Sequence, residues 1–79
     1  MALQIGVEVV QFDGTLGGDV ILNANWGLFG ERGKRLLVAK RSSFMEPTGA
    51  PTYEAFVAAQ SRTVAALSRE IAESIRIHR

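Results

Sequence analysis

The stretch VILNANWGL, residues 20–28, alternates apolar side chains with polar or small ones at a period of two. This period is typical of a β-strand with one covered face, because successive side chains of a strand point to opposite sides. We therefore expect this strand to place its apolar face, with the indole of Trp26, in the core. The apolar set comprises Val20, Leu22, Ala24, Trp26 and Leu28.

A second strand pattern precedes this stretch. Apolar residues again alternate with polar residues or glycine, which predicts a strand with one covered face. The parity changes at Val10, so we expect either a β-bulge near Val9 and Val10 or a strand that is apolar on both faces. The alternating residues are Leu3, Ile5, Val7 and Val9.

A third strand is predicted over residues 34–44, where apolar residues cluster at positions 36–39. The link before it, GERG at residues 30–33, is short and bounded by glycines, which predicts an antiparallel hairpin. The turn-forming segment DGTLGGD, residues 13–19, joins the first two strands. The segment MEPTGAP, residues 45–51, holds both prolines and is expected to be a connection.

From residue 52 the spacing of the apolar residues changes to three and four, which predicts a long amphipathic helix. Thr52 is expected to cap its N-terminus, and Glu54 favours the helix dipole in the first turn. A helix ending at about Ile77 would be roughly 38 Å long. Strands of about 8–10 residues would not cover it, so its last turns are predicted to overhang the sheet or to meet something else. The stripe comprises Tyr53, Phe56, Val57, Gln60, Val64, Leu67, Ile71 and Ile75.

These elements predict an α+β fold, a three-stranded antiparallel sheet (β-meander) with one long C-terminal helix packed on one face. The 79 residues, 1–79, have room for a single small domain. With 47% hydrophobic and 22% charged residues, the composition is that of a folded chain.

Composition also excludes several kinds of function. The chain has no cysteine, which removes disulfides and thiolate chemistry, and its formal charge of +1 gives no overall attraction to polyanions. No stretch reaches the roughly 18 consecutive apolar residues of a membrane-spanning helix. Any preference for a charged partner must therefore be local.

The segment GLFGERGKRLL, residues 27–37, combines glycines with cations, as a phosphate-binding loop does. Such a loop needs a glycine five residues before its Gly-Lys pair, then Ser or Thr, and a following helix. Leu28 and Arg35 occupy the first two of these positions, and a strand is predicted to follow. The glycine spacing of a dinucleotide site is also absent. A hairpin turn is the better interpretation.

The cations of this hairpin raise a nucleic-acid hypothesis, because strand-borne aromatics and cations can stack bases and hold phosphates. Against it, Trp26 shares the parity of the core residues, and charged side chains commonly protect an exposed strand edge. We keep a small nucleic-acid-binding module as the alternative function. The cations are Arg32, Lys34, Arg35, Lys40 and Arg41.

No set of residues predicts catalysis or metal binding. His78 is the only histidine and is expected in a frayed helix end, so it cannot complete a metal site or a serine triad. Asp13 and Asp19 flank a turn but lack the ligand spacing of a calcium loop. We therefore predict no enzyme activity, no catalytic or cofactor-binding residues, no metal and no cofactor.

Three segments taken together resemble a known family, the C-terminal half of the PqiC-type auxiliary lipoproteins of ABC-type transport systems. The specific features are the Phe-Asp-Gly at residues 12–14, Ala24 with Trp26, and LSREIA at residues 67–72. The order and spacing of the pieces make the match. The segments are VEVVQFDG (7–14), GGDVILNANWGLFGERGKRLL (17–37) and YEAFVAAQSRTVAALSREIAESI (53–75).

The resemblance implies a non-enzymatic component of a bacterial envelope system that moves lipids or other hydrophobic substrates between membranes. Such systems combine a permease, an ATPase and a substrate-binding MCE-type protein, which is the implied partner. Family members resemble lipoproteins of the outer membrane that face the periplasm.

The sequence departs from the family pattern, because the signal peptide, the lipid-bearing cysteine and the N-terminal half are not found in it. We therefore expect a fragment or a truncated reading frame, with membrane contact only through an anchor outside this chain and with no nucleic-acid partner. Half a sheet would leave an open edge, which favours a dimer or larger homo-oligomer.

Overall fold

The structure, a computed structural model, describes residues 3–78. It contains three strands, β1 (Gln4–Gly14), β2 (Asp19–Gly30) and β3 (Arg35–Pro47), and one helix, α1 (Tyr53–His78). The strands form one antiparallel sheet in the order β1-β2-β3. The predicted α+β class and meander order are confirmed.

The register of the sheet contains two irregularities. Between β1 and β2 it shifts between Val9 and Gln11, so Val10 is the extra residue of a bulge, as one of the two sequence interpretations predicts. Between β2 and β3 it shifts next to Leu28, which leaves Leu37 without an opposing residue. The side chain of Leu37 packs against the core cluster.

The core lies between β2 and α1. The apolar residues of β2 that define its alternation are all buried, and Trp26 is only 4% exposed. From the helix, Ala59, Thr63 and Leu67 are buried. The helix packs on β2 and β3. The expectation that the indole points into the core, beneath the helix, is confirmed.

The helix begins where the sequence predicts. The amide of Ala55 donates to Oγ1 of Thr52 at 3.2 Å, which is the geometry of an N-cap. At the other end His78, expected in a frayed end, is the last helical residue, and its Nδ1 lies 2.8 Å from the carbonyl oxygen of Ser74.

The predicted overhang of the helix is wrong. The strands contain 11, 12 and 13 residues, more than the sequence pattern indicates. The longer sheet therefore supports the last turns of α1, where Ile71 and Ile75 still pack against the core cluster.

The prediction that one face of β1 is covered is also wrong. Because α1 packs mainly on β2 and β3, it leaves the apolar side chains of β1 largely uncovered. They are 42–54% exposed, although their pairing partners on β2 are buried. These side chains belong to Ile5, Val7, Val9 and Phe12.

The connections are fixed by close backbone contacts. A Cβ at Gly14 would lie 2.8 Å from the carbonyl oxygen of Asp19 and 3.0 Å from the ring of Phe56, so the glycine of the Phe-Asp-Gly motif permits this approach. The amide and Oγ1 of Thr48 both bind the carbonyl oxygen of Gly18, at 2.9 and 2.8 Å. The two connections at this end of the sheet are thereby joined.

Candidate functional site

The helix-side face of β1, along one edge of the sheet, is an open apolar surface. Residues that pair directly across antiparallel strands have their side chains on the same face of the sheet. The exposed apolar side chains of β1 are therefore on the helix-side face, next to the side chains of β2 that α1 buries. We call these side chains the β1 apolar row. It comprises Ile5, Val7, Val9 and Phe12.

A groove of about 410 Å³ lies between Phe12, at one end of the β1 apolar row, and the helix. Its helical wall includes Val57 and Val64, which are about half exposed. The apolar surface is therefore continuous from the edge strand to the side of α1. The lining residues are Phe12, Val57, Gln60, Ser61, Val64 and Ala65.

The opposite face of β1 is polar, but its acids are bound to neighbouring amides. Oε1 of Glu8 accepts a hydrogen bond from Nδ2 of Asn25 at 3.2 Å. Both carboxylate oxygens of Asp13 accept from Nε2 of Gln11, at 3.2 and 3.3 Å. Oε1 of Gln11 accepts from Nδ2 of Asn23 at 2.6 Å. These contacts hold the two carboxylates against their own sheet.

The edge formed by β3 has a different character. Nε of Arg62 donates to Oε1 of Glu46 at 2.8 Å, and Lys40 forms an ion pair with Glu70. The strand also carries Arg35 and Arg41 and ends at a proline. Charged side chains and proline are common devices that prevent a strand edge from pairing with another chain. The two edges therefore differ, because β1 has no lysine, arginine or proline.

The basic hairpin does not form one cationic surface. Arg32 lies in the 3₁₀ turn Glu31–Gly33, with φ near 60°, and Gly33 has φ near 85°. Further along β3, Lys40 lies opposite the buried Trp26 in the strand register, and its side chain is therefore on the helix side of the sheet. The next residue, Arg41, lies on the opposite face.

This geometry does not support the nucleic-acid hypothesis, because the five cations and the indole do not form one open surface. Of the five cations, Arg32, Lys34 and Arg35 lie together around the turn, and Arg35 is 3.8 Å from Glu31. Lys40 and Arg41 are on opposite faces, and the indole of Trp26 is buried. The interpretation of GLFGERGKRLL as a hairpin turn is confirmed.

A polar cluster lies between the helix and β3. Nε1 of Trp26 donates to Oγ of Ser42 at 3.0 Å, and Lys40 binds Oε1 of Glu70, whose side chain is 23% exposed. Burial opposes the charge of Glu70. The hydrogen bonds of Lys40 and Ser42 and the positive charge of Lys40 outweigh this effect, so the pKa of Glu70 lies below its ordinary value of 4.5.

The lowered pKa of Glu70 predicts acid sensitivity. A carboxylate whose pKa is depressed in the folded state stabilises the fold above its unfolded pKa, and this contribution is lost as the pH falls through the folded pKa. We expect Glu70→Gln to cost about 0.5–1 kcal/mol near neutral pH, because Lys40 is half exposed. The difference from wild type should shrink below about pH 4 in urea titrations. Glu73→Gln, whose ion pair with Arg76 is more exposed, is the control and should cost less. An undiminished difference in acid would contradict this origin of the pKa.

The uncovered face of the sheet carries a broad open depression of about 720 Å³. Its floor is a row of small residues paired across the three strands, Gly6, Gly27 and Ala39. The ring of Phe29 lies over two of them, because a Cβ would be 3.6 Å from it at Gly6 and 3.1 Å at Gly27. The glycines therefore make room for this aromatic ring.

The candidate metal ligands show no site. Within residues 3–78, no group of three or more His, Asp or Glu side chains could hold a metal ion. Over the same residues, no helix combines the length and apolar character needed to cross a membrane. The absence of a catalytic, metal or cofactor site stays a prediction.

Comparison with protein families identifies the chain. A family model described as "ABC-type transport auxiliary lipoprotein component" matches residues 1–72. The chain belongs to this family. The resemblance seen in the sequence is therefore confirmed at the level of the family. No match was found among curated proteins or among solved structures.

Membership of the auxiliary lipoprotein family establishes a coarse function. The chain is a component of an ABC-type transport system, a role that is usually non-catalytic and that indicates the cell envelope. A component of such a system works with other proteins, so the open surfaces of the fold are its candidate site.

The exposure of the β1 apolar row was not predicted from the sequence. The signal that could have revealed it is geometric. A helix is about 10 Å wide with its side chains, whereas strands are about 4.8 Å apart, so one helix covers about two strands. A three-stranded sheet under a single helix must leave the face of one strand open.

Proposed function

We propose that the chain is a non-catalytic subunit of an MCE-type ABC transport system that moves lipids or other hydrophobic substrates. It would act on the periplasmic side of the outer membrane through protein contacts. The observation that carries this proposal is the family match over residues 1–72 of a chain that leaves an apolar strand edge open.

Two surfaces support a role in protein contact. The first is the β1 apolar row with the adjoining wall of α1, where about half of each apolar side chain remains exposed. Contiguous exposed apolar patches of this kind commonly mark interaction sites. The second is the tip of the hairpin, where Arg32, Lys34 and Arg35 lie close together.

The proposed MCE-type partner can be tested by direct capture. We expect the purified chain to be retained by an immobilised MCE-type periplasmic domain from the same genome, and a variant with Arg32, Lys34 and Arg35 changed to serine to be retained more weakly. A matched variant, with exposed Arg69 and Arg76 on the helix changed to serine, should be retained as well as wild type.

An oligonucleotide-binding experiment distinguishes the alternative function from the proposed one. Binding to a short oligonucleotide that falls steeply with salt and is lost in the hairpin variant would favour the nucleic-acid module. Oligonucleotide binding of this kind, together with no capture by the MCE-type domain, would contradict the proposed transport role.

A further inference from the structure

We propose that β1 pairs antiparallel with β1 of a second copy of this chain, on a two-fold axis at Val9, to give a six-stranded sheet. This inference names one partner for the open edge in the function proposed above. The axis stands perpendicular to the sheet, so both helices would lie on the same face.

The two edges of the sheet differ in their ability to pair with another strand. β1 presents unpaired backbone groups along 11 residues without a lysine, arginine or proline, and its acids Glu8 and Asp13 are bound to amides of their own sheet. Such an edge can add another strand. The β3 edge, in contrast, carries Arg35, Lys40 and Arg41, which would repel a second copy of the same strand.

The register centred on Val9 is self-complementary. Val9 lies in the middle of Gln4–Gly14, and the bulge at Val10 shifts the parity after it. With the bulged residue left out of the count, Val9 faces Val9 of the second copy and Val7 faces its Phe12. All four side chains then lie on the apolar face.

The polar face is complementary in the same register. Glu8 faces Gln11 of the second copy, and Asp13 faces its Gly6. An acid therefore never stands directly opposite another acid. Directly opposed like charges destabilise a strand pair, so this match favours the register over its neighbours.

Pairing of β1 with itself also gives an assembly that stops at two copies. A head-to-tail contact of β1 with β3 of another copy would also join opposite charges, but it leaves a free β1 edge at one end and grows without limit unless it closes into a ring. Pairing of β1 with itself uses both open edges. The six-stranded sheet is then bounded on both sides by the protected β3 edge.

Cysteine cross-linking tests the register, because the chain has no native cysteine. Across the axis, the two Val9 Cα atoms would be about 4.5–5.5 Å apart, within the roughly 4.4–6.8 Å that a disulfide spans. We expect Val9→Cys to give a covalent dimer under mild oxidation. Val7→Cys is the matched control, since its two copies would be about 13 Å apart.

Mass measurement tests the pairing without a cross-link. We expect wild type in sedimentation experiments to shift from the 8.6 kDa monomer to twice that mass as its concentration rises. Val9→Lys, which opposes two cations at the axis, should raise the dissociation constant of the dimer about tenfold or more. Met45→Lys, at an exposed position on β3, should leave it unchanged. Circular dichroism checks that each variant is folded.

Three results would overturn the pairing. These are a wild type that stays monomeric at every concentration, a Val7→Cys variant that cross-links as fast as Val9→Cys, or open-ended oligomers that persist in Val9→Lys. These experiments use this chain alone. Their failure would leave the transport role standing, and failure of capture by the MCE-type domain would leave the pairing standing.

Discussion

Trp26→Ala is expected to remove a large part of the stability of the protein. The indole is 4% exposed, belongs to the core cluster and donates a hydrogen bond to Ser42. Truncation of a buried tryptophan to alanine costs about 3–5 kcal/mol. At about 0.05–0.15 kcal/mol per residue, a domain of this size has only about 4–12 kcal/mol in total. Urea unfolding followed by circular dichroism should show a much lower midpoint, or no folded baseline.

Two further variants show whether burial causes this loss. Trp26→Phe keeps an aromatic ring but loses the hydrogen bond and some volume, so we expect a smaller cost of about 1–2 kcal/mol. Met45→Ala changes an exposed side chain and should cost less than about 0.5 kcal/mol. If Trp26→Ala were no more damaging than Met45→Ala, β2 would not be the core strand.

Leu67→Ala tests the packing of the helix on the sheet. Leu67 is the buried leucine of α1 and lies in the core cluster beside β2. We expect a loss of about 2–5 kcal/mol, because alanine keeps the helix propensity and leaves a cavity. The loss should appear as a lower midpoint of thermal unfolding.

The control for this helix variant is Ile77→Ala. Ile77 is 65% exposed in the last turn, so its truncation should change the free energy of unfolding by about 0.5 kcal/mol or less. Equal losses at positions 67 and 77 would mean that α1 does not rest on β2 along the face described.

The elements of this fold were predictable because their signals are local. The alternation of β2 requires only that Leu22, Ala24 and Trp26 share a face, and the N-cap requires only that Thr52 precede the first turn. The parity change at Val10 indicated the bulge, as one of two interpretations, for the same reason. Each feature depends on residues within a few positions of one another.

The candidate site depends on how elements far apart in the sequence are placed in the fold. For this reason the exposure of β1 was not predicted. Val9 and Ala24 are direct pairing partners with apolar side chains on one face, yet Val9 is 54% exposed and Ala24 is fully buried. Only the position of α1 across the sheet separates them. The Lys40–Glu70 ion pair depends on that same position. Periodicity within a strand carries no information on which strand a helix covers.

The exposure of the β1 apolar row fits the proposed role in protein contact. In the proposed function, an open apolar edge opposite a charge-protected edge would direct contact to one side of the sheet. In the proposed dimer, the hairpin tips remain free at both ends of the assembly. They would then be available to the MCE-type partner.

Hydrogen exchange of the backbone amides tests most directly whether β1 is the contact edge. In dilute solution, amides of β2 should exchange slowly, since β2 has a bonded neighbour on each side, and the outward amides of β1 should exchange rapidly. At high protein concentration, we expect protection to appear in β1 while β3 is unchanged. Protection that appears in β3 instead, or β1 amides that exchange equally at both concentrations, would contradict the assignment.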